Sequence, residues 1–238
     1  QLERGWVNTN ALSIIDAVNL KLVSAVLLDN IDRGAPNPWG VACTSDGKTL
    51  AVTHSGNHEV SVIDRLALHK KLTTKPPEDL PNDLSFMVGL RQRVKLSGLG
   101  PRELTAVGPK LYTAEYFSDS IGIIDLNAKA APHATSIPLG KVRPMSVVRR
   151  GEFLFKDASW CFQQWQSCIS CHPSERTDGL NWDLPNDGLG TPKNTKSLVL
   201  AHQTPPTTVT GVRANAETSV RAGIRFFMAV RPESDAVA

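Results

Sequence analysis

VTHSGNHEVSVID, from Val52 to Asp64, contains an apolar strand, a polar turn and a second strand that ends on Ile-Asp. The same pattern occurs from Trp6 to Asp16 (WVNTNALSIID) and from Tyr112 to Asp125 (YTAEYFSDSIGIID). The copies recur at intervals of roughly 50 and 60 residues, and the longer interval contains a proline-rich insertion around Lys75 to Asp83. Short strands repeated at such a period predict one β-propeller blade per copy.

A second repeated element precedes two of these copies. Asn37 to Cys43 is followed by Asp46-Gly47-Lys48, and Gly100 to Val107 is followed by Gly108-Pro109-Lys110. A glycine between two apolar alternating runs indicates a tight hairpin, because glycine accepts the positive φ that such turns require. The first part of the chain is therefore predicted to be antiparallel β-structure.

These repeats resemble the YVTN family of β-propeller repeats, and Val60 to Asp64 matches that pattern best. The resemblance implies about three blades in this chain, whereas a closed propeller has typically four to eight. We therefore expect a partial propeller over residues 1–148. The chain also opens at Gln1 within a repeat, which predicts that it is a piece of a longer protein.

The five residues Cys168-Ile169-Ser170-Cys171-His172 form the pattern that attaches a c-type haem. The two thiols would be joined to the haem vinyl groups, and His172 would be the proximal ligand of the iron. One covalently bound haem c is predicted on Cys168, Cys171 and His172. A chance Cys-x-x-Cys, half a zinc site and a thioredoxin-like redox pair are the alternatives, and the neighbouring sequence supports none of them.

From Arg150 onwards the β-alternation stops, and residues 149–238 are predicted to form a mainly α cytochrome c-like domain. Helices are expected through Trp165 and from about Ala214 to Val230. The fold class is thus a multidomain chain, a partial all-β propeller followed by a haem domain. Cys43 is predicted to be a small buried residue of its strand, and His54 and His58 to be polar turn residues rather than metal ligands.

The second domain resembles the bacterial dihaem cytochrome c peroxidase and MauG-like family. The resemblance rests on Gly151 to Phe155, Ser167 to His172, Thr177 to Gly179, Asn194 with Thr195, Ser197 with Leu198, and Gly211 to Arg213. It implies two haems per functional unit. Since this chain has one attachment motif, a second haem domain is expected beyond Ala238.

The ligand on the other face of the iron decides between an electron carrier and a peroxidase. Met145, Met228 and His202 are the candidates, and an open face is the fourth possibility. His202 is predicted either as a metal ligand or as a polar loop histidine. Arg213 is predicted either to bind a haem propionate through its guanidinium or to lie on the surface.

The formal net charge is +3, spread along the chain without basic blocks, so neither nucleic acid nor an anionic membrane surface is the expected partner. No apolar run reaches the roughly 18 residues that a membrane span requires. We expect an exported bacterial protein, periplasmic or at the cell surface, that acts in electron transfer, with peroxide reduction as a second expected activity and the propeller surface binding a redox partner protein. The alternative is a cell-surface interaction or scaffold protein whose haem is structural or a passive relay.

Overall fold

The computed structural model describes residues 8–128, 132–141, 143–183 and 190–225. Its strands are β1 (Ala11–Asp16), β2 (Lys21–Leu27), β3 (Pro38–Cys43), β4 (Thr49–His54), β5 (Glu59–Asp64), β6 (Arg91–Lys95), β7 (Pro101–Val107), β8 (Lys110–Glu115), β9 (Ser120–Asp125), β10 (Ala134–Pro138), β11 (Asn181–Trp182) and β12 (Lys193–Asn194). The helices are α1 (Arg65–Leu72), α2 (Val147–Lys156) and α3 (Ala216–Gly223).

Strands β3 to β6 and β7 to β10 form two four-stranded antiparallel sheets, each in chain order. In both sheets the Ile-Asp strand is the third, and its partner is the strand that precedes the polar turn, so that His54 pairs with Glu59 and Glu115 with Ser120. Strands β1 and β2 form a hairpin, and β1 carries the same Ile-Asp ending. The described residues thus contain two complete blade-like sheets and the last two strands of a third, a β-propeller-like arrangement that agrees with the repeat pattern.

The first complete blade is buried on both faces. Val52 and Ile63 pack towards the β1–β2 hairpin, whereas Ala51 and Val60 pack towards the second blade. Because both faces are covered, β4 and β5 lack the clean apolar-polar alternation of a half-exposed sheet. Gly40 on β3 lies so close to β7 that a Cβ there would be 2.7 Å from the Arg102 carbonyl oxygen.

The aspartates that end the repeats accept hydrogen bonds from the backbone amides that follow them. Asp16 accepts from the amide of Val18 at 2.9 Å, Asp125 accepts from the amide of Asn127 at 2.9 Å, and Asp64 caps α1 through the amide of Ala67 at 2.9 Å. The insertion after Asp64 contains α1 and contributes Leu68, Leu80, Phe86 and Met87 to the first core cluster.

Cys43 is exposed, so the prediction that it is buried was wrong. Successive side chains of a strand point to opposite faces. On β3, Trp39, Val41 and Cys43 share the exposed face, while Gly40 and Ala42 lie on the face towards the second blade.

The prediction of a mainly α cytochrome c-like domain was also wrong. Within the described part of 149–238, the helices are α2, which begins at Val147, and the eight-residue α3, and the rest is short 3-10 turns, loops and the β11–β12 pair. Gln163 and Gln164 have positive φ and interrupt the helix expected through Trp165. The reason is tertiary packing, because the backbone after Asp157 forms hydrogen bonds with propeller loops instead of within a helix. The expected helix from Ala214 extends past residue 225 and in that part lies outside the described residues. The boundary between residues 148 and 149 stays a prediction.

No helix among the described residues is long and apolar enough to cross a membrane.

Candidate functional site

The predicted haem-attachment motif begins with a short 3-10 turn, Cys168–Ser170. Ser167 and Ser170 close its ends as a reciprocal capping box, and the Ser167 amide donates to the Ser170 hydroxyl at 3.1 Å. The amide of His172 donates to the Cys168 carbonyl oxygen at 3.0 Å. Backbone hydrogen bonds therefore hold all five residues of the motif in one compact turn.

Both thiols of the motif are free and half-buried. Burial raises the pKa of the Cys168 thiol to about 11. Burial also raises the pKa of Cys171, although the Asn8 side-chain amide, 3.5 Å from the Cys171 sulfur, acts in the opposite direction. For both thiols, burial therefore favours the protonated form over the thiolate.

His172 Nδ1 lies 3.2 Å from the Arg176 carbonyl oxygen. A carbonyl oxygen can only accept, so Nδ1 carries the proton in this contact and the lone pair is on Nε2. Histidines that bind metals typically donate the other ring N–H to a carbonyl or carboxylate in the same way. The imidazole is thus prepared to coordinate through Nε2.

The residues present fit a covalently attached haem. The donor set is two reduced thiols and one imidazole with its lone pair on Nε2. The loops that follow the motif expose apolar side chains able to cover a macrocycle: Leu180, Leu198, Val199, Leu200, Val209 and Val212. The amide of Leu198 donates to the Glu175 carbonyl oxygen at 2.9 Å, which ties these loops to the motif. In the part of the chain that the structure describes, no three His, Cys, Asp or Glu side chains form a metal-binding group, and the motif does not form one by itself.

His202 and Arg213 both lie in the turns and loops that follow the motif in the chain. His202 lies in the short turn Ala201–Gln203, and the backbone of Arg213 pairs with Thr207. Across the described ranges, no hydrogen bond or ion pair joins either side chain to residues 168–172. Met145 lies in the loop before α2, and Met228 lies outside the described residues. The sixth ligand and the propionate partner therefore stay predictions.

The segment before the motif lies directly against the propeller loops. Gly34 donates its amide to the Gln163 carbonyl oxygen at 2.9 Å, and Ala158 donates to the Gly56 carbonyl oxygen at 2.7 Å. The Trp165 indole donates to the Asn8 carbonyl oxygen. A Cβ on Gly34 would lie 2.5 Å from the Trp165 Cα, so the two backbones touch at this point.

Sequence reasoning missed that His58 is buried at this contact. Its Nδ1 accepts the Gly100 amide at 3.0 Å, its Nε2 lies 3.6 Å from an Asp157 carboxylate oxygen, and its ring stacks on Phe153 at 5.9 Å between centroids. His58 therefore joins both blades to the segment that carries the motif. The motif pattern could not reveal this contact, because Asp157 is remote from His58 in sequence.

Two buried histidines make the stability depend on pH. Burial holds the pKa of His54 well below its ordinary 6.5, and the positive charges of Arg93, Arg91 and Arg33 act in the same direction. Burial also lowers the pKa of His58, although the Asp157 carboxylate opposes it. The unfolded chain therefore takes up protons at a higher pH than the folded chain, and the stabilising contribution of these neutral histidines is lost as the pH falls below 6.5.

We expect the free energy of unfolding to fall by up to about 1.4 kcal/mol per pH unit for His54 below that pH, and His58 acts in the same direction. Urea unfolding between about pH 7.5 and about pH 5 measures the slope. His54→Gln removes one titrating group and should make the slope shallower, whereas His69→Gln on the exposed side of α1 should not. Equal slopes in the wild type and His54→Gln would contradict the assignment.

Comparisons with known proteins find relatives for parts of the chain. No family model matches. The chain is 39% identical to hydrazine synthase subunit gamma of Kuenenia stuttgartiensis over 90 residues, 31% of this chain and 26% of the relative. It is 30% identical to hydrazine synthase subunit beta of the same organism over 129 residues, 52% of this chain and 33% of the relative. The chain thus spans about a quarter to a third of the length of these relatives.

Similar solved structures have TM-scores below 0.5. The Kuenenia stuttgartiensis hydrazine synthase structure gives 0.46 at 27% identity, covering 51% of this chain and 36% of that one. A streptogramin B lyase gives 0.36 at 16% identity, covering 55% and 34%, and the Staphylococcus aureus virginiamycin B lyase gives 0.37 at 14%, covering 56% and 36%. In sequence, the chain is homologous to parts of two different hydrazine synthase subunits.

Proposed function

We propose that this chain is the haem-attachment region of an exported c-type haem protein in which a propeller carries an electron-transfer haem. The observation that carries the proposal is the Cys168–His172 turn, with two free thiols, an imidazole whose lone pair is on Nε2, and a docking contact with the propeller. A bound haem supplies an iron that changes its oxidation state by one electron. The chain itself orients the attachment groups and supplies apolar side chains beside them.

The protein is further proposed to act within a multi-subunit assembly. Both curated relatives are named as subunits of one enzyme, hydrazine synthase. This supports partner proteins for the full-length protein, which the propeller surface is proposed to bind. Location in the periplasm or at the cell surface belongs to the same proposal, since haem is joined to reduced thiols outside the bacterial cytoplasm.

The attachment is tested in the full-length protein produced with haem-maturation machinery. A pyridine haemochrome spectrum of the denatured protein should report covalent haem, and Cys168→Ala with Cys171→Ala should lose it. Cys43→Ala is the matched control, because Cys43 is an exposed thiol of the propeller and should leave the haem content unchanged. Covalent haem retained without the two motif cysteines, or a colourless wild type, would refute the proposal.

The ferric spectrum then distinguishes an electron carrier from a peroxidase. A six-coordinate, low-spin iron that does not respond to peroxide would agree with electron transfer. A five-coordinate iron that peroxide changes would favour the peroxidase resemblance instead. Replacing His202 by alanine tests the sixth ligand, because loss of a ligand changes the spin state.

A further inference from the structure

Asn37 is a propeller residue whose side chain forms hydrogen bonds with the predicted haem motif and with the segment that leads to it. It lies immediately before β3, with φ 53°. Its Nδ2 donates to the Ser167 hydroxyl at 2.9 Å and to the Lys156 carbonyl oxygen at 3.0 Å, and its Oδ1 accepts from the Ser170 hydroxyl at 3.3 Å. The Asn37 side-chain amide thus forms hydrogen bonds, through both its donor and its acceptor, with residues more than a hundred positions away.

The two serines that Asn37 binds are the same two that close the Cys168–Ser170 turn. Ser167 is buried at 3% exposure, and each serine caps the other across the turn. Lys156 is the last residue of α2, where a carbonyl lacks a partner within the helix. Asn37 therefore connects the end of α2 to both ends of the turn that spaces the two cysteines.

The Asn37 side chain has little freedom to leave this position. A Cβ on Gly56 would lie 2.7 Å from Asn37 Nδ2 and 3.0 Å from Pro36 Cβ, so the neighbouring backbone encloses the amide. The Asn37 carbonyl oxygen accepts the Ser55 amide at 3.0 Å, which holds its backbone independently of the side chain. The left-handed φ is tolerated by asparagine and by glycine, so deletion of the side chain need not disturb the loop.

We propose that Asn37 is a positioning residue through which the propeller sets the Cys168–Cys171 turn for haem attachment, an inference that rests on the proposed function above. Attachment adds each S–H across a vinyl C=C bond, sulfur to one carbon and hydrogen to the other, so no oxidant is consumed. Two additions to one rigid macrocycle require the two sulfurs at a set spacing. The propeller thus contributes to the geometry of the haem site from outside the haem segment.

The test compares Asn37→Gly with the wild type in the full-length protein. Hydrogen exchange of the Ser170, Cys171 and His172 amides should become about tenfold faster, because each of these amides is bonded within the turn that Asn37 holds. Leu20→Gly is the matched control, since Leu20 has φ 51°, is 83% exposed and lies in the β1–β2 turn. It should leave exchange in the motif unchanged, and amides of β4 and β5 should be unchanged in both variants.

A second readout is the reduction potential of the haem, because a contact that only stabilises the fold would not change that potential. Asn37→Gly should shift the reduction potential of the haem relative to the wild type. Asn37→Asp keeps the acceptor for the Ser170 hydroxyl but loses the donor to Ser167 and Lys156, so it should recover part of that shift. If Asn37→Gly does not accumulate, Ser170→Ala removes the same contact from the other side and should accelerate the same amides. Combining the two changes should add little to either alone.

The inference would be overturned if Asn37→Gly matched the Leu20→Gly control in both the hydrogen exchange of the motif amides and the reduction potential of the haem. Faster hydrogen exchange spread evenly over the propeller strands would also overturn it. The two proposals fail separately. A wild type without covalent haem refutes the haem function, whereas the exchange rates still report whether Asn37 sets the turn.

Discussion

Gly34→Ala is expected to lower the free energy of unfolding by about 3 kcal/mol, because the added methyl meets the backbone of the facing segment at the docking contact. Its Cβ would lie 2.5 Å from the Trp165 Cα and 2.6 Å from the Gln164 carbonyl oxygen. Backbone atoms cannot rotate away as a side chain can, so one segment must move. Movement would weaken the Gly34 amide bond to Gln163 and the 2.6 Å bond from Arg93 to the Gly34 carbonyl oxygen.

Urea unfolding of Gly34→Ala measures this loss, and hydrogen exchange should show it first in residues 163–165. Gly151→Ala is the matched control. Gly151 lies in α2, and a Cβ added there would meet no atom of another segment within 4 Å. Alanine should therefore stabilise the helix at this position by about 0.5–1 kcal/mol. If the two variants were equally stable, the close contact between Gly34 and the backbone of residues 164 and 165 would not exist in solution.

Glu59→Ala is expected to cost about 3–5 kcal/mol, because it leaves a buried guanidinium without its counter-charge. Glu59 is 3% exposed, and its carboxylate accepts from Arg93 Nε at 2.6 Å and lies 3.2 Å from Arg33 NH1. The Arg93 side chain is 5% exposed, and burial lowers its pKa, whereas Glu59 raises it. Removal of Glu59 would leave Arg93 charged in the interior with only the carbonyl oxygens of residues 33 and 34 as acceptors.

Glu217→Ala is the control for an ion pair at the surface. Glu217 pairs with Arg221 on α3 at 3.0 Å, with side chains 65% and 43% exposed, and its loss should cost at most about 0.5 kcal/mol. Glu59→Leu combined with Arg93→Met should recover most of the stability that Glu59→Ala loses, because no unpaired charge then remains. A small effect of Glu59→Ala, near that of the control, would mean that Arg93 reaches water.

The strand pattern was predictable because it depends on neighbouring residues. The strands of the second and third copies, the polar turns and the capping aspartates all follow from local periodicity and turn chemistry. The prediction of a mainly α second domain was wrong, because the aromatic stretch after Asp157 looks helical in isolation. In the folded chain its amides and carbonyls bond to propeller loops, as Ala158 does to Gly56, and a helix would forgo those contacts.

From the sequence alone, Cys168, Cys171 and His172 could be predicted as the attachment residues, because attachment chemistry requires them within five residues, and haem attachment itself stays a prediction. The roles of Asn37, His58 and Gly34 could not, because each depends on a partner about a hundred or more positions away. Local spacing determined which residues form strands and which could hold a haem. Only the tertiary structure decided where the motif rests and which propeller residues hold it, because such contacts exist only once distant segments have packed together.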